Sequence, residues 1–303
     1  MAHRRPRGRA RGAAPPPRRL TVLVTGATGN TGRPLVDELL RRGTGVRAMV
    51  RPGTDPARLP PGVELVEADL DDAAAVGAAL KGVDRAYLVT RSSERAEAQQ
   101  LQFVELAAAA GVSHLVKLSQ YAASADSPVR FLRYHAAVEQ RVRELGIPFT
   151  FLRPNLFLQA FLDFGPIVQG MGVLPAPIGA ARVSVVDVRD IVAVAATALT
   201  EPGHGGATYT ITGPAAVTHA EIAAAISAAT GQEITFADLP PAVFEEQLRG
   251  VLPPWQLAGL LEDYAHYARG EAAEVSPDVA AVTGRPARPM EVFFAEHAAA
   301  FTR

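Results

Sequence analysis

The stretch that decides the fold is residues 21–32, which read TVLVTGATGNTG. Its first four residues form a short, mostly apolar run, typical of a strand that is buried on both faces. Three glycines follow at regular spacing, Gly26, Gly29 and Gly32. Residues 33–42 then begin with a proline in the first turn and stop before a glycine, which predicts a helix. Strand, glycine turn and helix in this order predict the start of a βαβ unit.

The same alternation continues along the chain. Further apolar runs predict strands at residues 46–50, 63–67, 85–89, 114–118 and 149–152. Helical stretches that end at or near a glycine lie between them, at residues 71–80, 94–110 and 131–145. Strands that alternate with helices build a parallel sheet with helices on both faces. We therefore predict an α/β fold with a Rossmann-type, doubly wound parallel sheet.

The pattern changes after residue 155. We expect a loop-like aromatic segment at 157–171, a strand at 183–186, a helix at 190–199 with Asp190 as its N-cap, and a strand at 208–212. Thr218 and Glu221 have the spacing of a capping box that opens another helix. The predicted organisation is a Rossmann lobe over 20–155, with the sheet revisited near 183–200, and a smaller α+β C-terminal lobe from 156–182 and 201–303.

Composition limits the class of protein. Residues 1–19 contain seven arginines and no acid, so we predict a disordered basic tail. Subtracting those seven charges from the formal net charge of −1 leaves −8 for residues 20–303, a body that would repel nucleic acid. The chain has no cysteine and no apolar run of about 18 residues that would span a membrane. We expect a cytoplasmic protein without a metal site.

The glycine turn predicts a dinucleotide site. Gly26 permits a tight turn, Gly29 lets the backbone approach a pyrophosphate, and Gly32 allows the helix to pack on the strand. The helix N-terminus then faces the phosphates with unpaired amides. A glycine-rich turn without a ligand is the alternative. The predicted cofactor residues of this turn are Gly26, Thr28, Gly29, Asn30, Thr31 and Gly32.

The end of the second predicted strand indicates which dinucleotide binds. A site for NAD places an acidic residue there, whereas this chain has Arg51, whose guanidinium suits the 2′-phosphate of NADP. NADP(H) is therefore favoured over NAD(H). In the alternative, Arg47 and Arg51 are surface arginines that pair with acids. The rest of the predicted cofactor set is Asp69, which either meets the adenine or starts a helix, with Leu70, Thr90 and Ser119.

Six blocks of sequence carry a family resemblance: VTGATGNTG (24–32), VRAMVR (46–51), VKLS (116–119), GIPFTFLRPN (146–155), VDVRD (186–190) and TGP (212–214). Together they resemble the NmrA-like branch of atypical short-chain dehydrogenases/reductases. The resemblance covers nearly the whole body. It implies a nucleotide-binding lobe, a smaller C-terminal lobe and a cleft between them. The branch includes quinone-reducing enzymes, isoflavone-reductase-like enzymes and non-catalytic nucleotide sensors.

The chain departs from the wider family in its catalytic pair. Short-chain dehydrogenases carry a Tyr followed four residues later by a Lys, and the resemblance places Phe131 and His135 at these positions. Tyr134 lies on a different face of the helix. Because imidazole titrates near neutral pH, His135 is our catalytic candidate. A histidine that packs on the helix without a chemical role is the alternative.

Residues after the carboxyl ends of strands are candidates for the substrate pocket. We expect Gln120, Tyr121, Asn155, Phe157 and Phe161 to line the cleft, although the phenylalanines also suit an ordinary core. The predicted function is an NADPH-dependent reductase of a small quinone-like or conjugated carbonyl acceptor. A non-catalytic redox sensor and a tailoring enzyme of secondary metabolism are the alternatives. A homodimer or a regulatory protein partner stays open.

Overall fold

The computed structural model describes residues 20–302, so the predicted basic tail at 1–19 lies outside the described residues. The strands are β1 (Thr21–Val24), β2 (Gly45–Val50), β3 (Glu64–Glu67), β4 (Arg85–Leu88), β5 (His114–Leu118), β6 (Phe149–Pro154), β7 (Val173–Ala176), β8 (Ala207–Ile211) and β9 (Thr235–Asp238). The helices are α1 (Gly32–Arg41), α2 (Ala73–Leu80), α3 (Ala96–Ala109), α4 (Arg130–Leu145), α5 (Gly165–Met171), α6 (Val188–Thr200), α7 (His219–Thr230), α8 (Pro241–Leu248), α9 (Pro254–Ala268), α10 (Asp278–Thr283) and α11 (Met290–Glu296).

The large sheet has seven parallel strands in the order β3-β2-β1-β4-β5-β6-β8. The chain moves outward from β1 to β3, returns to the other side of β1, and moves outward again through β4, β5 and β6. The direction of winding therefore reverses between β1 and β4. Open α/β sheets bind ligands at the carboxyl ends of the strands at such a reversal. The predicted doubly wound Rossmann-type sheet is confirmed.

Helices cover both faces of this sheet. Val24 of β1 belongs to an apolar cluster with Leu35 of α1 and Ile191 of α6. The neighbouring Leu23 belongs to a second cluster, on the opposite face, with Phe103 of α3. Successive side chains of a strand point to opposite faces, so the continuous apolar run of β1 serves both clusters.

The smaller C-terminal lobe is built around a second sheet in which β7 and β9 pair in parallel. Helix α7 begins with the predicted capping box, in which the Thr218 hydroxyl accepts from the Glu221 amide over 3.1 Å. Ile222 of α7 and Phe294 of α11 are buried in one apolar cluster. Phe244 of α8 and Tyr264 of α9 are buried in the next.

Two predictions for residues 157–186 are wrong. The segment 157–171 is not a loop, because a 3₁₀ helix (Leu158–Phe164) leads directly into α5. Residues 183–186 form no regular strand. Only single bridges occur there, between Val183 and Val217 and between Phe157 and Val186.

The start of α6 and the position of β8 also differ from expectation. Asp187, not Asp190, is the N-cap of α6, and its carboxylate accepts from the amide of Arg189 over 2.8 Å. Asp190 lies in the first turn and accepts from the amide of Arg288 over 2.7 Å. Strand β8 is the edge strand of the large sheet, although its residues fall within the range predicted for the smaller lobe.

Candidate active site

The turn between β1 and α1 requires glycine at two points. Gly26 has a positive φ of 56°, and a Cβ there would lie 2.8 Å from Cγ1 of Val89. A Cβ on Gly32 would overlap the carbonyl oxygen of Gly26, so no larger residue fits where the helix meets the turn. Gly29 is exposed, and its amide donates to the Gly26 carbonyl over 2.9 Å. The turn therefore presents bare backbone to the solvent.

The N-terminus of α1 is open beside this turn. Thr31 is the N-cap, but its side chain accepts no capping hydrogen bond. The Arg33 amide donates to the Gly29 carbonyl over 3.0 Å and Pro34 has no N–H, so within residues 20–302 the Gly32 amide is the one left without a capping partner. Thr28 is half-buried and Asn30 is exposed. Thr25 fixes the turn to β4, since its hydroxyl donates to the Val89 carbonyl and accepts from the Val89 amide, both over 2.8 Å. Unpaired amides at a helix N-terminus stabilise a bound phosphate.

Arg47 and Arg51 differ in what their guanidinium groups contact. Arg47 Nη1 donates to the carbonyls of Ala79 and Lys81 over 2.8 and 2.7 Å, and its Nε lies 2.9 Å from Oε1 of Glu64. Arg51 is exposed, and its guanidinium has no hydrogen-bond or ion-pair partner within residues 20–302. The alternative that these arginines pair with acids thus describes Arg47, which contacts Glu64. Arg51 has no such partner among these residues and stays free to bind an anion at the carboxyl end of β2.

Three more predicted cofactor residues follow β3 and β4. Asp69 is exposed, and it is Asp72, not Asp69, that caps α2. Leu70 is half-buried beside it. The Thr90 hydroxyl accepts from Nε2 of Gln100 over 2.7 Å. These residues lie along the same carboxyl edge of the sheet as the glycine turn.

Strand β5 and helix α4 enclose a buried polar network. Lys117 is completely buried, and its Nζ lies 2.7 Å from Nδ1 of His135. The Ser119 hydroxyl donates to Oε1 of Glu139 over 2.6 Å. Arg153 of β6 donates to both oxygens of Glu139, over 3.0 and 2.6 Å. The predicted residues His135 and Ser119 thus lie in two adjacent hydrogen-bonded groups, which are coupled by the attraction between Glu139 and Lys117.

Burial sets the protonation of this network. It lowers the pKa of Lys117 to about 7, against the opposing attraction of Glu139. Burial, with Lys117 alongside, holds the pKa of His135 well below its ordinary value. Burial alone would raise the pKa of Glu139, but hydrogen bonds from Arg153 and Ser119 bring it below its ordinary value. At neutral pH the imidazole is uncharged, the carboxylate is ionised and Lys117 is near its midpoint.

His135 keeps one nitrogen available. The residue is 8% exposed, and Nε2 has no hydrogen-bond partner in the described part of the chain. Because Nδ1 faces Lys117, a protonated lysine would hold the tautomer that carries its proton on Nε2. His135 can then donate a hydrogen bond from Nε2.

Helix α9 packs on the first turns of α4. The Phe131 ring lies 5.3 Å from the Trp255 ring, and a Cβ on Gly259 would overlap the Phe131 ring. The Tyr134 ring lies 4.2 Å from the His135 ring and is tilted by 37° to it, and burial raises the pKa of Tyr134 to about 12. Phe131, which the resemblance places at the tyrosine position, is therefore packed against α9, and Tyr134 stays un-ionised at neutral pH.

The loop after β5 also contacts α9. Gln120 Nε2 donates to both carboxylate oxygens of Asp263, over 3.1 and 3.2 Å. Asp263 is 7% exposed and forms no ion pair within residues 20–302. Burial raises its pKa to about 7, although the bond from Gln120 opposes this. The Tyr121 hydroxyl donates to Oε2 of Glu274 over 3.3 Å. Gln120 and Tyr121 thus lie where the two lobes meet.

The other predicted pocket residues have structural contacts. Asn155 is buried, and its Nδ2 donates to Oγ of Ser184 and to the carbonyl of Ala272, over 2.8 and 2.9 Å. Phe157 is half-buried against the core of the large sheet. Phe161 is 1% exposed in the core of the C-terminal lobe, so the structure does not place it at the cleft mouth.

Sequence reasoning does not single out Lys117, Glu139 or Asp263. The sequence does carry a signal for Lys117, because it lies within the apolar run 115–118. Burial of an unpaired charge is energetically unfavourable, so a lysine in a buried strand indicates a specific polar contact. Glu139 follows His135 by one helical turn and therefore shares its face. Asp263 has no local signal, because only the packing of α9 on the β5 loop buries it.

A phosphorylated dinucleotide fits the turn and the free arginine. The turn keeps its close internal packing because Gly26 and Gly32 carry no Cβ, the backbone of Gly29 is exposed, and Arg51 supplies an unpaired cation at the end of the neighbouring strand β2. Within residues 20–302, no group of three or more His, Cys, Asp or Glu side chains is arranged to hold a metal ion. None of the helices in the described range is both long and apolar enough to cross a membrane.

Comparisons with known proteins agree with this geometry. The sequence profile of the NmrA-like family matches residues 18–284. A (4-alkanoyl-5-oxo-2,5-dihydrofuran-3-yl)methyl phosphate reductase of Streptomyces griseus is 40% identical, with 92% of this chain and 99% of that protein covered. An NAD(P)H azoreductase of Xenophilus azovorans is 36% identical over the same shares. The crystal structure of an NADPH-dependent quinone oxidoreductase of Escherichia coli, complexed with NADPH, has a TM-score of 0.82 at 27% identity and covers 91% of this chain and 99% of its own.

Proposed function

Because the chain belongs to the NmrA-like family, we propose that it is an NADPH-dependent reductase of a small, planar quinone-like or conjugated carbonyl acceptor. The observation that carries the proposal is the meeting of two features at one edge of the sheet. The first is a phosphate cradle beside the free guanidinium of Arg51. The second is the contact between Lys117 and His135, whose Nε2 is left without a partner.

Different residues of the chain would bind different parts of the cofactor. The backbone of the turn at Gly26, Gly29 and Gly32 would hold the pyrophosphate, with Thr28, Asn30 and Thr31 around it. Arg51 would hold the 2′-phosphate, and Asp69 and Leu70 the adenine side. Thr90 and Ser119 would contact the nicotinamide side. When bound, NADPH supplies the hydride for reduction.

The acceptor class follows from the chemistry that the relatives share. Their names denote reductases of a dihydrofuranone, of azo compounds and of quinones. Each of these groups is flat and conjugated and takes up two electrons. We place the acceptor between the lobes, near Gln120 and Tyr121, with His135 as the hydrogen-bond donor. A quinone-like acceptor needs only one weak acid, so the missing Tyr and Lys pair does not prevent reduction.

The test is NADPH oxidation by the purified full chain with a panel of benzoquinones, naphthoquinones, azo dyes and 2,5-dihydrofuranones. We expect turnover with at least one class, faster with NADPH than with NADH. His135→Gln serves as the site variant and should slow turnover without loss of NADPH affinity. Tight NADPH binding without oxidation by any member of the panel would contradict the proposal and favour a nucleotide sensor instead.

A further inference from the structure

The lysine content of the chain singles out Lys117. Of the 30 basic residues only two are lysines, Lys81 and Lys117. Lys81 is exposed at the end of α2, whereas Lys117 is the only completely buried Lys or Arg within residues 20–302. An arginine keeps its proton at any accessible pH, but a buried lysine can release one. The buried basic position is thus occupied by the residue type that can transfer a proton.

His135 alone is a poor proton donor. Its imidazole is uncharged at neutral pH, because burial and the neighbouring Lys117 disfavour the imidazolium. An uncharged imidazole that loses the proton on Nε2 becomes an anion unless Nδ1 receives a proton at the same time. Nδ1 lies 2.7 Å from Nζ of Lys117, within reach of direct proton transfer.

We propose that Lys117 supplies, through the imidazole of His135, the proton that the reduced acceptor takes up. The proposal rests on the proposed reductase function. After hydride addition, a lone pair on the acceptor oxygen takes the proton of His135 Nε2, so an O–H bond forms as the N–H bond breaks. Nδ1 takes a proton from Lys117 Nζ in the same step. His135 stays uncharged throughout, and Lys117 becomes a neutral amine. Water then returns a proton to Nε2 and the reverse shift restores the lysine.

The groups around this pair keep the lysine in the range that the relay requires. Burial lowers the pKa of Lys117, while the charge of Glu139 on α4 raises it and that of Arg153 on β6 lowers it. Tyr134, whose ring contacts the His135 ring, stays un-ionised because burial raises its pKa. Ser119 donates to Glu139 and holds that carboxylate in place. Lys117 can therefore both release a proton and regain it at neutral pH. Lys117 does not touch the acceptor itself. It acts only through His135, and is therefore a positioning residue and not a catalytic one.

A nitrogen NMR titration tests the coupling without any acceptor. With ¹⁵N-lysine and ¹⁵N-histidine labels the full chain gives only two Nζ signals, and Lys81→Met assigns them. His135→Gln assigns the imidazole. We expect Lys117 to titrate near neutral pH and the His135 nitrogens to shift with the same midpoint, as the proton moves from Nε2 to Nδ1. A lysine that stays charged to pH 9, or His135 signals that do not follow it, would overturn the proposal.

Kinetics with matched variants test the relay itself. Lys117→Met keeps the length of the side chain without its proton, and Lys81→Met is the control. We expect Lys117→Met to lower kcat about 100-fold and to remove the fall in kcat that the wild type shows as pH rises above neutrality. The NADPH dissociation constant should change less than about twofold, since Lys117 lies outside the phosphate cradle.

Unchanged kcat and an unchanged pH profile in a folded Lys117→Met protein would refute the relay. The NMR titration uses the wild type, so it decides the coupling even if Lys117→Met does not fold. If none of the acceptors in the panel supports NADPH oxidation by the wild type, the proposed reductase function fails. The NMR titration still reports separately whether Lys117 controls the tautomer of His135.

Discussion

The glycine turn and the β5–α4 network lie at the same edge of the sheet but are specified in different ways. The turn has no charged side chain and depends on close contacts with the Gly26 carbonyl oxygen and Val89 that only glycine permits at positions 32 and 26. The network depends on ionisable groups, of which Lys117 and Glu139 are fully buried. The first is therefore a steric device that is insensitive to pH. The second is an electrostatic device whose state changes with pH.

The largest expected effect comes from filling the turn. In Gly32→Ala the new Cβ overlaps a backbone oxygen, which no rotamer change can relieve. We expect a loss of about 4–5 kcal/mol in unfolding free energy, with NADPH binding reduced at least about 100-fold. Urea unfolding and fluorescence titration measure the two. Gly77→Ala is the control, because its Cβ would meet only Leu106 Cδ2 at 4.0 Å. That control should gain up to about 1 kcal/mol from helix propensity.

The next effect tests the network. Glu139→Ala leaves Arg153 without its buried counter-charge, so we expect a loss of about 3 kcal/mol at pH 7. The folded pKa of Glu139 is lowered, so its stabilisation is present at neutral pH and is lost as pH falls through that pKa. Thermal melting at pH 7 and pH 4 should show the difference shrink in acid. Glu105→Ala breaks a surface pair with Arg141 and should cost less than about 1 kcal/mol. Equal losses for both variants would contradict a special role for burial.

A smaller effect is expected on nucleotide affinity, where Arg51 at the end of β2 should differ from Arg47 within β2. Arg51→Ala removes the proposed contact with the 2′-phosphate, worth about 2 kcal/mol, so NADPH should bind about 10–100-fold more weakly. NADH affinity should change little. Arg47→Ala should lower stability and leave the NADPH to NADH ratio as it was, because its guanidinium contacts only protein. Isothermal titration with both nucleotides decides this, and equal losses of NADPH and NADH in Arg51→Ala would remove the assignment.

The smallest effect concerns the boundary of the lobes. The pKa of Asp263 is raised to about 7, so the folded state holds its proton more tightly than the unfolded chain does. Stability is therefore lost as pH rises from about 4 to about 7. Asp263→Asn keeps an acceptor for Gln120 and should be more stable than the wild type by about 1 kcal/mol at pH 8 but not at pH 4. Melting curves that differ equally at both pH values would rule out this titration.

Sequence patterns predicted the steric part well, because its requirements are local. The order of strand, glycines and helix at 21–32 specifies a turn whose backbone conformation few other residues allow. The chain order of strands and helices likewise predicted the sheet. The start of α6 was misplaced because Asp187 and Asp190 both suit an N-cap, and only the contact of Asp190 with Arg288 distinguishes them.

The electrostatic part was less accessible from the sequence, because it joins distant segments. His135 was found through the family resemblance, but its partner Lys117 lies 18 residues earlier on a different element. Asp263 meets Gln120 across 143 residues. Phe161 has the composition of a cleft residue and lies in a core instead. Burial of this kind follows from packing between elements, which periodicity does not report.

The contact between Phe131 and Gly259 limits which side chains position 131 can accept. The edge of the Phe131 ring, including Cζ, lies against the backbone of α9. A tyrosine at 131 would direct its hydroxyl from that same carbon into the helix. A tyrosine at 131 therefore does not fit while α9 keeps its position. Introducing it would require α9 to move, so the packing of the C-terminal lobe keeps a hydroxyl out of this position on α4.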